Sequence, residues 1–170
     1  MLSKISKKTI RKTCIMAAAA FALTAALCGC APDDIDVSGY ADESIAIEGI
    51  SDEAVTVNIA ELKDMDCITV KTESTSDKIG KVKATGPTLG TVLAAKGADI
   101  GEVKKVTFHG ADDYSYSLNE DYIAEHDIIL AIGIDGNPLD EEDAPCRIII
   151  PESDSAYWLR MLDRITIEKK

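Results

Sequence analysis

The sequence lacks most of the patterns that announce a chemistry outright. Its two histidines, His109 and His126, stand apart, and there is no CxxC or HxxxH spacing; a zinc site is therefore not indicated. There is no GxSxG elbow and no phosphate-cradling glycine loop, which removes the usual signatures of a serine hydrolase and of a P-loop enzyme. The 30 acidic residues never fall into the DxDxDG spacing of a calcium loop. "DEED" at 140–143 reads instead as a solvated turn. Internal repeats and low-complexity tracts are also missing. The one long apolar run, Ile15 to Leu27, is shorter than the roughly 20 residues a spanning helix needs.

That run has a different meaning. Five basic residues (Lys4, Lys7, Lys8, Arg11 and Lys12) precede it, as in an export signal. It ends in "LCGC", which resembles the bacterial lipobox: Leu27, a small residue, Gly29, then Cys30, whose sulfur accepts a diacylglyceryl group. The alternative is a secreted protein in which Cys30 is incidental. The expected organisation is a lipoprotein signal peptide over 1–29, a lipidated tether over 30–43 and a folded domain over 44–170. The mature chain would then be lipid-anchored through Cys30 on the extracytoplasmic face of a bacterial cell membrane.

Removal of the signal leaves 13 of the 18 basic residues against all 30 acidic ones, a net charge near −17. Such a surface repels nucleic acid and anionic lipid head groups; nucleic acid is excluded as a partner, and the simplest purpose of the charge is solubility. Two further cysteines, Cys67 and Cys146, open the apolar stretches "CITV" and "CRIII". Buried free thiols are common in such places, and two thiols make no disulfide framework, although one disulfide between them remains an alternative.

Period-two alternation dominates the domain. "SIAIEG", "AVTVN", "ITVKTES", "IGKVKATG", "VKKVTFHG", "YSYSL", "DIILAIGIDG", "CRIIIP" and "DRITIEKK" read as strands. "IAELKDM", "PTLGTVLAAKG" and "NEDYIAEH" read as short helices, with Pro87 suited to a first turn, Gly97 to a C-terminal cap and Asn119 to an N-cap. "SAYWLRML" reads as a short helical or irregular segment. Many strands with short helices between them indicate an α+β domain, mixed but mostly β.

The motif order "VTFHGADDYSYSL", "ILAIGIDGNPLDEEDAPCRIIIP" and "RMLDRITIE" resembles the oxidoreductase molybdopterin-binding domain of the sulfite oxidase family. The upstream "IEGISDEAVTVNIAELKDM" and "ATGPTLGTVLAAKGA" fit the same family's opening strands and helix. The resemblance implies a sulfite-oxidase-type fold that holds molybdopterin, with a cysteine thiolate ligating the metal at the end of the strand before the "GxxL" helix. A soft thiolate suits such a metal. Here that strand end is "VKTESTSDKIG", and the matching position falls near Thr72 to Ser74. None is cysteine, Cys67 lies about five residues too early, and the family's polar "GNxR"-like turn is missing.

Thr72 and Glu73 at that strand end are candidate cofactor-binding groups by hydrogen bonding. The resemblance adds Arg147, in the family's "PxR" position, and Arg160, before the closing strand; guanidinium groups there suit a pterin phosphate. Ion pairs with this acidic chain are the alternative for both. His109, beside the Gly110 turn, is either a cleft-edge ligand or a surface residue. Tyr157, with Trp158, either lines a pocket or plugs the space a cofactor would fill. The expected function is a membrane-anchored binding domain for a small ligand or an extracytoplasmic redox or protein partner. The alternative is an active molybdenum-pterin oxidoreductase with atypical ligation, so the sequence leaves open whether the chain is an enzyme.

Overall fold

A computed structural model describes residues 32–76 and 80–170. Along the chain run β1 (Ser44–Glu48), β2 (Val55–Asn58), α1 (Ile59–Asp64), β3 (Cys67–Glu73), β4 (Lys81–Pro87) and α2 (Leu89–Ala95). They are followed by β5 (Val103–Gly110), β6 (Ser115–Asn119), α3 (Glu120–Glu125), β7 (Ile129–Ala131), β8 (Gly133–Ile134), β9 (Asn137–Pro138), β10 (Arg147–Ile149) and β11 (Leu162–Lys169). Mixed sheets with short helices match the α+β expectation.

Alternation builds the larger sheet, ordered β2-β1-β11-β5-β6. Ile45 and Ile47 of β1, Val106 and Phe108 of β5, and Ile165 and Ile167 of β11 point inward and are buried. Burying each such side chain contributes about 1.5–3 kcal/mol. Ala46, Glu48, His109, Arg164 and Thr166 occupy the alternate positions and form the outer face. Leu162 is buried as well, out of phase with Ile165; a register shift between Leu162 and Arg164 accounts for it. β1 and β11 pair in parallel within this open sheet, which sets the first strand beside the last.

The helices start where polar caps demand. Asn58 and Glu61 form a reciprocal capping box at α1, Thr88 caps α2 and Asn119 caps α3. Pro87, expected in the first turn of α2, is instead the last residue of β4. The helix begins two residues later, at Leu89, because the Thr88 hydroxyl accepts the Thr91 N–H. Gly97 ends the helix region at φ +81°, the left-handed geometry glycine tolerates.

β3, β4, β8 and β9 make a second sheet, and β7 pairs with β10 in a third. The stretch "DIILAIGIDG", expected as one strand, is two, β7 and β8. Its course is continued by Ile132 N–H donating to Thr85 O at 2.8 Å, so the two smaller sheets run into each other. Gly86 marks the closest approach: a Cβ there would meet the backbone of Leu130. Because β7 and β10 alternate, Leu130 and Ile148 face the main core, while Ile129, Ala131 and Ile149 face a second cluster with Ala84 and Trp158.

The tether expected over 30–43 requires correction. Residues 1–31, with the signal and Cys30, lie outside the described residues, but from Asp33 onward the chain is fixed to the domain. Ile35, Val37 and Tyr40 are buried in the main core. The Tyr40 hydroxyl donates to Ile132 O at 2.7 Å and accepts from Leu139 N–H at 2.9 Å. Three apolar side chains dispersed among acidic residues have no period, so the stretch reads as polar linker although it carries enough apolar surface to dock. Cys67 and Cys146 are both free.

Candidate functional site

The end of β3 is tied down by hydroxyl groups. Thr72, facing Val82 across the ladder, is buried and its Oγ1 accepts the Glu152 N–H at 3.0 Å. Glu152 adopts φ +57°, a left-handed turn uncommon for a side chain of its size. Thr75 N–H donates to Ser153 O at 3.0 Å. Ser74 and Ser76 share a hydrogen bond at 3.0 Å, and Ser76 Oγ lies 2.6 Å from Ser155 Oγ. The strand end and the 150–158 loop are thus sewn together by short neutral hydrogen bonds.

Trp158 lies beneath this seam. It is buried, and its Nε1–H is shared between Ile150 O at 2.9 Å and Ser153 Oγ at 3.1 Å. Its ring packs with Ala84, Ile129, Ala131 and Ile149, so it fills space between β4 and the β7–β10 pair. Trp158 is thus a core side chain that fills space within the domain. Between the β3–β4 hairpin and the Pro151–Glu152 turn lies a groove of about 800 Å³. Its lining combines half-buried Val70 and Val82 with Thr72 and the charged Lys71, Glu73, Lys81 and Glu152. Lys81 Nζ stands 3.9 Å from Glu73. These groups offer ionic and hydrogen-bonding contacts; they include no soft ligand and no nucleophile.

Of the six candidate residues, Thr72 and Glu73 therefore line one groove. The other four lie elsewhere. Arg147 is buried and pairs with Asp143 at 2.7 Å; Arg160 reaches Glu142 at 3.1 Å and the second Asp143 oxygen at 3.5 Å. Both guanidinium groups are engaged by the "DEED" turn, which folds back because Asp140 accepts the backbone N–H groups of Glu142 and Asp143. His109 is on the outer face of the large sheet, its Nε2 3.2 Å from Thr166 Oγ1, which in turn donates to Glu48. Tyr157 stacks edge-on against Tyr116, whose hydroxyl donates to the Tyr157 carbonyl at 2.6 Å. Burial holds the Tyr116 hydroxyl protonated far above its ordinary range.

Ser76, Ser153, Ser155 and Glu152 were not singled out in the sequence, and Ser74 only as the end of the stretch where a ligand cysteine would fall. Their only signal was the hydroxyl-rich composition of "ESTS" and "ESDS", and the pairing spans 79 residues between Ser76 and Ser155.

The model of the oxidoreductase molybdopterin binding domain matches residues 33–170. The chain belongs to that family. Among solved structures, the sulfane dehydrogenase SoxCD from Paracoccus pantotrophus is similar, with a TM-score of 0.63 and 20% sequence identity. The match covers 76% of this chain and 39% of that one, so this domain spans about two fifths of that protein's chain. At that identity the likeness is one of fold. No curated protein matches the sequence.

Membership in the molybdopterin-binding family raises the question of whether these residues fit a thiolate-held metal. Cys67 opens β3, six residues before Glu73 at its end, a distance of about 20 Å along a strand. Its thiol is directed at the last carbonyls of α1, 3.4 Å from Leu62 O and 3.7 Å from Lys63 O. Burial, with help from Asp66 and Asp64, pushes the Cys67 pKa up. Cys146 is fully buried and burial raises its pKa further. Neither thiol lies at the end of β3: one faces the end of α1 and the other is enclosed in the main core. Among the described residues no cluster of three His, Cys, Asp or Glu side chains comes together. The donor set of this chain does not fit thiolate-bound molybdenum at the end of β3.

Proposed function

We propose that this member of the family is a membrane-anchored extracytoplasmic domain that binds a small polar ligand or a protein partner through the β3–β4 groove, without thiolate-held molybdenum. One observation carries the reading. Where the family resemblance asks for a metal-binding sulfur, Thr72, Ser74 and Ser76 spend their hydroxyl groups on the Glu152–Ser155 loop. The lining left open is charged at its rim and partly apolar below, a composition suited to recognition. Anchoring is supported by the basic residues, the apolar run and "LCGC" at 27–30.

Two experiments test the reading. Cys30→Ser should release the chain from the membrane fraction, and continued membrane attachment would remove the lipid anchor. Cys67→Ser should leave fold and visible absorbance unchanged, because the thiol takes no part. Loss of a chromophore or of redox activity in that variant would favour the alternative, an active molybdenum-pterin oxidoreductase with recruited ligation.

A further inference from the structure

If Cys30 is the lipid attachment point, as the preceding reading holds, the docked N-terminal strap has a geometric consequence. We propose that the anchor lays one defined face of the domain on the head-group layer of the bilayer: the last turn of α1, the start of β3 and the Asp33–Ile35 strap. The partner is the lipid surface into which the acyl chains on Cys30 insert.

The argument starts from chain length. Three Cα steps of 3.8 Å separate Cys30 from Asp33, so the two lie at most about 11 Å apart. A free tether over 30–43 would instead reach about 20 Å in root-mean-square terms. Asp33 is not free to follow the lipid outward. Its N–H donates to Thr69 Oγ1 at 3.1 Å, and both of its carboxylate oxygens lie 2.7 Å from Lys83 Nζ. Asp34 pairs with Lys63 at 2.9 Å, and Ile35 is 1% exposed. The chain meets the domain beside a shallow cleft of about 420 Å³ that Pro32 shares with Lys63, Met65, Asp66 and Cys67. That is the side the bilayer must touch.

Electrostatic attraction does not drive the contact. Lys63 and Lys83 are matched by Asp34 and Asp33, while Asp64 and Asp66 are exposed nearby. The short covalent leash imposes it. The strap, α1 and β3 all lie on the core side of the large sheet, so its outer face, with His109 and Arg164, is turned to solution. At least one layer spacing of about 10 Å separates the two faces.

The test uses the full-length, lipidated chain in vesicles containing a nickel-chelating lipid, with Cys67→Ser to remove the half-buried thiol. A nitroxide at Asp66→Cys reports the leash side, and one at Arg164→Cys on β11 reports the outer face. Nickel relaxation should be several-fold stronger at position 66 than at 164. Inserting twelve Gly/Ser residues after Pro32 adds about 19 Å of reach and should abolish the difference while the chain still floats with the vesicles. Equal relaxation at both positions, or a difference that survives the insertion, overturns the proposed face although the anchor stands. A chain that does not float and carries no acyl mass on Cys30 overturns the anchoring reading and this proposal with it.

Discussion

At the scale of single residues, the placement of the two thiols separates this chain from one with a thiolate at the end of β3. Burial raises the pKa of both Cys67 and Cys146, so a disulfide reagent at neutral pH should react slowly with Cys67 and with Cys146 only on unfolding. Rapid labelling of Cys67 at pH 7 would show a thiolate and contradict the account. Trp158→Phe should cost about 1–3 kcal/mol in urea unfolding, since it strips a buried donor from Ile150 O and Ser153; an unchanged midpoint would mean that water replaces the indole N–H. Hydrogen bonds from Lys104 and then Lys105 hold the Glu168 carboxyl down to about 2. A depressed carboxyl contributes stability above its unfolded value and loses it as pH falls through the folded one. Stability should therefore decline from about pH 4.5 towards about pH 2, and Glu168→Gln should shallow that limb of an acid titration. The residue scale was only partly legible. The absence of cysteine near Thr72 to Ser74 was visible directly, whereas the Ser76–Ser155 bond joins residues whose partnership no local pattern records.

At the scale of elements, the strands and short helices were legible because alternation and capping are local. β3, β5 and β11 follow from their period, and Asn119 caps α3 as its chemistry requires. Misreadings arose where tertiary contact decided. "DIILAIGIDG" divides because Thr85 and Ala84 of β4 take up its second half, and the N-terminal strap docks through three apolar residues without periodicity. Ile35 carries the sharpest consequence of that docking. Ile35→Ala should lower stability by about 2–5 kcal/mol and increase proteolysis before Ser44; a loss within a few tenths would return the strap to the status of a tether. The same fold decided the fate of the candidate arginines. Arg147 and Arg160 meet through Asp143, the ion-pair alternative that a chain with such an acidic excess made available.

At the scale of the whole molecule, family membership and side-chain chemistry are separate questions. Residues 33–170 match the oxidoreductase molybdopterin binding domain, and the fold is similar to that of a sulfane dehydrogenase over 76% of this chain and 39% of that one. A fold fixes where a site can be, while the side chains decide what the site does. On the reading proposed above, the hydroxyl seam at the end of β3 stands where a soft ligand would be. The most direct measurement is the molybdenum and pterin content per folded chain, after expression of residues 31–170 in a molybdenum-replete anaerobic host. The account predicts a folded domain with molybdenum far below one atom per chain. Stoichiometric molybdenum with pterin would contradict it.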